Sequence, residues 1–298
     1  MDRVKTSFSI KNLEHLSGIK AHTIRIWEKR YNLFEPQRTE TNIRLYNLDS
    51  LQKLLNVSML YKNGFKISKI AKMEANEINN KVHNITLQKS PYDWSIGLFK
   101  LSMINFDQRL FTKTFDELIE KMSFGEIYQS IFTPLMIELG VLWQTNSISP
   151  SHEHFITSLI KQKIHSLCEK LQEKQPQNLD QTFVLFLPDN EIHELGLLYL
   201  NYEILYKGFK TIFLGQSVPT KSLSNFQDKY DKMIFVSCFT IEPHHDRADE
   251  YFEEFEKEIL STDGTELWIT GYQAKYITKP KNPKIRVFES SSELIKAL

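Results

Sequence analysis

A histidine flanked by an acid and a glycine follows an apolar run that is typical of a buried strand. Glu191 precedes His193 by two residues, and Gly196 follows it by three. An acid that holds one imidazole nitrogen fixes the tautomer and makes the other nitrogen a better metal ligand. A glycine lets a bulky ligand approach the backbone. This pattern predicts either a ligand site at His193 or a histidine that only caps a helix, and these residues alone leave both open.

The elements that must position this histidine form an alternating pattern over residues 180–298. Five apolar runs predict strands, and helical runs lie between them, which indicates a doubly wound, Rossmann-like α/β sheet. The predicted strands are Phe183–Leu187, Thr211–Leu214, Met233–Cys238, Leu267–Thr270 and Ile285–Phe288; the predicted helices are Glu194–Tyr206, Lys221–Tyr230, Asp249–Leu260 and Ser292–Leu298. Ligands bind beyond the carboxyl ends of such strands. His193, Gly215, Val218, Ser237 and Gly271 are predicted there.

A second motif that could bind a metal ion is His152-Glu153-His154. Its first residue stands nine positions after Trp143. Residues two apart on a helix point about 200° away from each other, so the two histidines do not readily share one ion. The residues alone favour a helix start capped by Ser151 over a zinc site.

Four amphipathic helical patterns occupy residues 78–175 and predict a four-helix bundle. Their apolar positions begin at Leu98, Phe111, Ile127 and Phe155, with short polar breaks between them. A polar linker near residues 174–178 separates this segment from the predicted sheet.

Residues 1–75 predict a basic helix-turn-helix module. Residues 1–73 contain fourteen Lys and Arg against six Asp and Glu, a net charge of +8, whereas the rest of the chain carries −8. Two short helices separated by Gly18, the second one basic, are typical of a DNA reader. Residues 38–46 predict a hairpin wing, and Asn47 or Asp49 is expected to cap the next helix. A basic head is the expected footprint of a DNA binder, but charge alone leaves phosphate contacts with duplex DNA and a solvated basic surface equally open.

Composition narrows the function classes. The 298 residues suggest two or three domains. Cys168 and Cys238 lack metal-site spacing, which favours a reducing cytoplasm without a disulfide framework. No uncharged apolar stretch of ~18 residues is present, so no transmembrane helix and no membrane partner are expected. The first residues do not lead into the apolar core of a signal peptide.

The first module closely resembles the winged-helix DNA-binding domain of the MerR superfamily. The residues that carry this resemblance are Thr23–Tyr31, Pro36–Glu40 and Arg44–Tyr46. It implies binding to double-stranded operator DNA. It places the following residues at or beside the DNA: Thr23, Arg25 and Arg30 on the groove-facing helix, and Arg38, Arg44 and Tyr46 on the wing. Asn42 stands near a wing tip where the family often has glycines, and asparagine tolerates that turn.

The other two modules resemble the light-responsive, cobalamin-binding MerR repressors of the CarH/LitR type. Glu191-x-His193-x-x-Gly196 is similar to the Asp/Glu-x-His-x-x-Gly signature of cobalamin domains. Trp143-x9-Glu153-His154 is similar to the Trp-x9-Glu-His signature of these repressors. The resemblance implies that His193 is the lower axial ligand of cobalt and that adenosylcobalamin controls assembly as a dimer or tetramer. The upper face of the cobalamin, opposite His193, would be lined by Trp143, Glu153 and His154. Ser237 and Gly271 would follow the nucleotide tail.

Two departures from that family keep other functions open. Gln144 stands where a light-sensing member has a second cobalt-ligating histidine, and Tyr272 stands where the tail needs a glycine. The first alternative is therefore a regulator of the same fold that is independent of cobalamin and controlled by a protein partner. A corrinoid carrier or methyltransferase component is the second alternative, and the basic winged helix argues against it.

Overall fold

The computed structural model describes residues 7–86, 91–144, 147–226, 229, 232–278 and 280–298. The chain divides into two compact units, Met1–Leu159 and Ile160–Leu298. This division falls inside one 23-residue helix, so the domain limits 1–75, 78–175 and 180–298 stay predictions. Within the described ranges, no helix combines the length and the apolar character that crossing a bilayer requires.

The first unit begins with a helix-turn-helix and a small antiparallel sheet of order β1-β3-β2. Its elements are β1 Ser7–Ser9, α1 Ile10–Ser17, α2 Ala21–Tyr31, β2 Gln37–Arg38, β3 Arg44–Asn47, α3 Leu48–Lys62, α4 Ile67–Ile70 and α5 Ala75–Thr86. Gly18 ends α1 at φ +72°, and Asn42 makes the β2–β3 turn at φ +63°. Both positions require the left-handed backbone that glycine and asparagine tolerate.

Local capping and apolar spacing explain these helices. Ser9 and Asn12 form a reciprocal capping box at the start of α1. Asn47 accepts a hydrogen bond from the Ser50 N–H at the start of α3, as predicted. Ile24 and Trp27 are buried on one face of α2, so both side chains belong to the core.

A second group of helices follows, and it confirms the four predicted helical stretches. They are α6 Pro91–Asn105, α7 Gln108–Ile119, α8 Phe124–Ile127, a π-helical turn Tyr128–Phe132, α9 Thr133–Gln144 and α10 Pro150–Gln172. Buried phenylalanines pack α6, α7 and the π turn together, with Phe99 lying 5.0 Å from Phe111 and 5.3 Å from Phe132 between ring centroids. The predicted third helix is thus α8 and α9 joined by the π turn.

The second unit holds a five-stranded parallel sheet of order β5-β4-β6-β7-β8. Its strands are β4 Asn178–Phe186, β5 Phe209–Gly215, β6 Met233–Cys238, β7 Thr265–Thr270 and β8 Ile285–Val287, and its helices are α11 Leu195–Tyr206, α12 Ala248–Glu258 and α13 Ser291–Lys296. Apolar residues on both faces make two cores. One core contains Phe186, Phe235 and Phe255, and the other contains Leu185, Leu200 and Val236. The predicted parallel α/β sheet is confirmed.

The helix predicted over Lys221–Tyr230 is wrong in type and length. The chain forms a 3₁₀ helix over Thr220–Phe226, and residues 227, 228, 230 and 231 lie outside the described residues. The Ser222 hydroxyl donates to the Pro219 carbonyl at 2.7 Å and the Asn225 amide to the Ser222 carbonyl at 2.9 Å. Such local bonds compete with α-helical hydrogen bonding.

The strand order reverses at β4 and β6, because β4 pairs with both β5 and β6. This reversal point is where doubly wound sheets place their ligands. The loop after β4 carries Glu191 and His193, and the loop after β6 begins at Phe239.

Candidate cofactor site and DNA-binding surface

A single carboxylate joins the two loops at the reversal point. Glu191 is 1% exposed. Its Oε2 accepts hydrogen bonds from the backbone N–H groups of Thr240 at 3.2 Å, Ile241 at 2.6 Å and Glu242 at 2.9 Å. Three successive N–H groups pointing at one oxygen form an anion-binding concavity. Glu191 therefore fixes the loop after β6 to the loop after β4.

The other oxygen of Glu191 orients the candidate ligand. Oε1 accepts from the backbone N–H groups of Ile192 at 2.8 Å and His193 at 2.9 Å. It also lies 2.6 Å from Nδ1 of His193. A carboxylate only accepts, so Nδ1 carries the proton and Nε2 carries the lone pair. The His193 side chain is 47% exposed, so its ring has the tautomer and the access that a metal ligand needs.

These contacts determine the charge of Glu191. Burial raises the pKa of Glu191, but hydrogen bonds from the His193 ring and from the backbone N–H groups of Ile241, His193 and Glu242 outweigh burial and lower the pKa to about 2. The carboxylate is therefore ionised near neutral pH. Sequence reasoning predicted the acid as the partner of the histidine ring and missed its bonds to residues 240–242, which lie some 50 positions further along the chain.

Two predicted cofactor residues, Gly271 and Val218, also take part in internal packing. Gly271 has φ +116°, and a Cβ there would lie 2.4 Å from the carbonyl oxygen of Phe239. This glycine is thus required because the chain packs on its own backbone, whether or not a ligand approaches. Val218 is half-buried against the core that contains Phe235, and its N–H donates to the Leu187 carbonyl at 2.8 Å.

The remaining predicted residues of this edge lie at or near the strand ends. Gly215 ends β5 at φ +81°. A Cβ on Gly196 would make an ordinary contact of 3.7 Å with Sγ of Cys238. Ser237 is fully buried in β6, and among the described residues its hydroxyl makes no hydrogen bond. A buried hydroxyl without a hydrogen bond costs free energy. A bound group that offers a hydrogen bond to this hydroxyl would remove that cost.

The two departures from the family pattern lie in different places. The Tyr272 side chain is 58% exposed, and its hydroxyl is 3.3 Å from that of Tyr276. This ring therefore lies at the rim of the sheet edge and does not fill the core. Gln144 is the last residue of α9, and its side chain, like that of Trp143, lies outside the described residues.

The histidines of the second motif lie in opposite environments. His152 is 3% exposed, and its Nδ1 is 2.8 Å from the Ser149 hydroxyl. The His154 side chain is 76% exposed, and its Nδ1 is 3.1 Å from Oε2 of Glu153. This divergence agrees with the prediction that the pair does not share an ion. The prediction of Ser151 as the cap is wrong, because α10 begins at Pro150.

The basic helix of the first unit presents an exposed face. Thr23 is half-buried, whereas five neighbouring residues are exposed: His22, Arg25, Ile26, Lys29 and Arg30. On the hairpin, Arg38 is exposed and donates to Oδ1 of Asn42 at 2.5 Å. These positions suit contacts with an extended anion such as duplex DNA.

The structure corrects the prediction for Tyr46. This residue is 1% exposed, and its hydroxyl donates to Oε2 of Glu28 at 2.8 Å. Arg44 donates from Nε to Oε1 of the same carboxylate at 2.9 Å. Glu28 thus fixes the hairpin to α2, whereas Arg25 is exposed. The hydrogen bond with Glu28 raises the pKa of Arg44, and burial raises the pKa of Tyr46.

Removing the Tyr46 hydroxyl tests this positioning role. We expect Tyr46→Phe to lower the free energy of unfolding by about 1 kcal/mol, because the Glu28 carboxylate loses a buried donor. Urea denaturation measures the change. Tyr61→Phe is the matched control, since Tyr61 is 45% exposed. Equal stabilities of the two variants would show that the hydroxyl contributes nothing.

Comparisons with known families now bear on both sites. Residues 8–77 match the family model described as MerR HTH family regulatory protein. Residues 98–167 match the one described as B12 binding domain. The second match runs from within α6 to within α10 and ends before the parallel sheet, so it does not include the His193 loop.

Two curated relatives are similar to this chain over most of its length, and a third is similar over a shorter segment. The HTH-type transcriptional repressor CarH of Myxococcus xanthus is 24% identical over 73% of this chain and 73% of its own length. The repressor CarA of the same organism is 23% identical over 72% of this chain and 70% of its own. The regulator MlrA of Escherichia coli strain K12 is 31% identical over only 24% of this chain and 29% of its own.

The solved structure of the Methanosarcina barkeri monomethylamine corrinoid protein has a TM-score of 0.54 to this chain at 16% sequence identity. It covers 67% of this chain and 94% of that one. At this identity the likeness shows the fold alone.

These findings define the class of the protein. It combines a MerR-type helix-turn-helix with a B12-binding domain, and it is a DNA-binding transcription regulator with a cobalamin sensor half. Its similarity to CarH and CarA extends over nearly three quarters of the chain, which confirms the sequence-based resemblance.

The residues present fit a corrinoid at two points of the sheet edge. His193 offers Nε2 with the tautomer fixed by Glu191, and Ser237 offers a buried hydroxyl that has no hydrogen bond within the described residues. An imidazole held by a carboxylate is a suitable cobalt ligand, and a buried hydroxyl can meet the polar part of a nucleotide tail.

Proposed function

We propose that this chain is a cytoplasmic, non-enzymatic transcriptional repressor. Its affinity for operator DNA depends on adenosylcobalamin bound at His193. The observation that carries the proposal is the Glu191–His193 pair at the strand-order reversal, with the ring nitrogen Nδ1 held at 2.6 Å. The basic head and the repressors named above support the DNA-binding half.

In the DNA-binding half, α2 is the groove-facing helix and the β2–β3 hairpin is the wing. The contacts with the DNA groove come from Thr23, Arg25 and Arg30. The contacts with the phosphates come from Arg38 and Arg44. Arg25 and Arg38 are exposed, so their guanidinium groups can reach DNA without breaking an internal ion pair. Tyr46 acts indirectly, by positioning Arg44 through Glu28.

Arg25→Ala tests the groove assignment. We expect a loss of about 1–3 kcal/mol in binding to the cognate operator if Arg25 reads a base edge. Fluorescence anisotropy with a labelled duplex measures it, at a stated salt concentration because phosphate contacts are salt-dependent. Lys113→Ala is the control, since Lys113 is an exposed cation on α7 outside the head. Equal operator affinities for the two variants would refute the surface.

In the sensor half, the chain's own residues hold the cofactor and orient its ligand. Glu191 keeps the proton on Nδ1 of His193 and leaves Nε2 for cobalt, and Ser237 supplies a hydroxyl for the nucleotide tail. When bound, adenosylcobalamin supplies a light-sensitive cobalt–carbon bond. Helices α6 to α10 form the four-helix bundle of this half, and Trp143, Glu153 and His154 stay predictions for the upper face.

Assembly connects the two halves. One winged-helix head contacts a single half-site, so specific binding needs two heads at neighbouring half-sites. We therefore propose that the chain binds DNA as a homo-oligomer, a dimer or a tetramer, whose stability the cofactor controls. Light scattering at DNA-binding concentrations tests this, and a strict monomer that binds its operator tightly contradicts it.

The deciding experiment is the absorption spectrum of the purified chain after incubation with adenosylcobalamin, before and after green light. We expect a protein-bound cofactor with histidine in place of its own base and a spectral change on illumination. A bound cofactor with no change in light supports a cobalamin sensor that does not respond to light. If no corrinoid is retained, the cofactor half of the proposal fails and control by a protein partner replaces it.

A further inference from the structure

We propose that His244, His245 and Asp246 form a binding site for a divalent transition-metal ion, separate from the cobalt ligand His193. One ligand atom from each of the three residues lies within 4.8 Å of the others. They stand in the loop between β6 and α12, where a short 3₁₀ turn His245–Arg247 places consecutive side chains together.

Two of the three donor pairs already have the spacing of metal ligands, and Nδ1 of His244 also accepts a backbone hydrogen bond from Asp246 at 3.5 Å, which a bound ion would replace. Nε2 of His245 is 3.2 Å from Oδ1 of Asp246, and Nδ1 of His244 is 3.1 Å from Oδ2 of the same carboxylate. Zinc binds nitrogen and oxygen at about 2.0–2.2 Å in tetrahedral geometry, which places neighbouring ligand atoms about 3.4 Å apart. Two imidazoles and one carboxylate form a ligand set that suits zinc, with a further position for water.

A neighbouring amide sets the tautomer of His245. Nδ1 of His245 is 2.9 Å from Oε1 of Gln273, and Nε2 of Gln273 donates to the Thr240 carbonyl at 3.4 Å. The amide is therefore oriented with its oxygen toward the ring, so Nδ1 of His245 is the protonated nitrogen. Gln273 is 8% exposed and part of the packed edge. This is the outer hydrogen bond that metal-binding histidines usually make.

With that tautomer, the lone pair of Nε2 in His245 faces a carboxylate oxygen. Two electron pairs at 3.2 Å repel each other unless a cation lies between them. A proton or a metal ion can fill that role, and the second imidazole at a centroid distance of 4.1 Å favours the metal ion.

The electrostatic surroundings suit a cation. The N-terminus of α12 by itself favours anions, but its first turn carries Asp249 and Glu250. Arg247, the next residue along the chain, is paired with Glu242. The side chains of His244 and His245 are 47% and 31% exposed, so an ion can enter from solvent.

The site lies on the loop after β6, which is hydrogen-bonded to the loop that carries the candidate corrinoid ligand. Thr240 accepts from Gln273 through its carbonyl and donates to Glu191 through its N–H. The proposed ion and His193 are thus held by one hydrogen-bonded segment. Metal binding nevertheless rests only on His244, His245, Asp246 and Gln273, so it stands or falls independently of the corrinoid.

Zinc titration of the untagged, full-length, corrinoid-free chain by calorimetry tests the site. We expect a saturable component of one ion per chain that His245→Ala and Asp246→Asn each weaken at least about 10-fold. His165→Ala, which removes an exposed imidazole on α10, is the control and should leave that component unchanged. Circular dichroism of each variant verifies the fold.

Gln273 supplies a second, more selective test. Gln273→Leu should weaken zinc binding roughly 10–100-fold, because the ring loses its outer acceptor. Gln273→Glu should bind zinc at least as tightly as wild type, since a carboxylate is a better acceptor for Nδ1 of His245. The proposal is overturned if the wild-type chain shows no saturable zinc component, or if His245→Ala binds zinc as tightly as wild type does.

Discussion

Replacing Glu191 by glutamine is expected to lower the free energy of unfolding by about 3 kcal/mol at pH 7. The pKa of this carboxyl falls from 4.5 to about 2 in the folded chain, and each unit corresponds to about 1.4 kcal/mol. An amide in its place carries no charge for the N–H groups of residues 240–242. Urea denaturation of wild type and Glu191→Gln measures the difference.

The pH dependence of that difference identifies its cause. Because the folded-state pKa is depressed, the stabilisation is present above pH 4.5 and is lost as the pH falls from about 4.5 toward 2. At pH 3.5 the gap between wild type and Glu191→Gln should shrink by roughly 1.4 kcal/mol. Glu117→Gln is the control, since Glu117 is a half-exposed carboxyl 3.9 Å from Lys113 on α7. A gap that does not depend on pH would assign the effect to shape and not to charge.

The second large effect is expected at the cofactor. His193→Ala should lose the spectral signature of histidine-ligated cobalamin and reduce cofactor affinity on the order of 100-fold. This lies at the upper end of the ~10–100-fold typical of losing an outer-shell partner, because the ligand itself is removed. The fold should persist, since Oε1 of Glu191 keeps the N–H groups of residues 192 and 193. Absorption titration with adenosylcobalamin measures both quantities.

Two comparisons make the His193 experiment specific. His165→Ala removes an exposed imidazole of the same unit and should bind cobalamin as wild type does. Added imidazole should restore the ligated spectrum of His193→Ala, because the small ring can occupy the space of the deleted side chain. An unchanged spectrum in His193→Ala would show that another group ligates cobalt, and the assignment would fail even if the cofactor binds.

Features that depend on neighbours in sequence were predictable from the residues. The β6 strand Met233–Cys238 has the limits that its apolar run predicts. Asn47 caps α3 as expected, and the acid two residues before His193 does contact the ring. Strand and helix periodicity, capping and an i, i+2 contact are set within a few residues, so they can be derived without knowing the fold.

The features that decide the sites depended on tertiary packing. Glu191 meets residues 240–242 only because β4 and β6 are adjacent in the sheet. Tyr46 is buried because Glu28, 18 positions earlier, accepts its hydroxyl, and Gly271 is required by the backbone of Phe239.

Local pattern does not encode such contacts, since they arise when distant segments bury their apolar faces against each other and then satisfy the polar groups left between them. The sequence by itself determined the modules, the limits of β6 and the histidine at the strand exit. Tertiary structure alone decided which carboxylate connects the two loops, which glycine is needed for packing, and which tyrosine is removed from the DNA-facing surface.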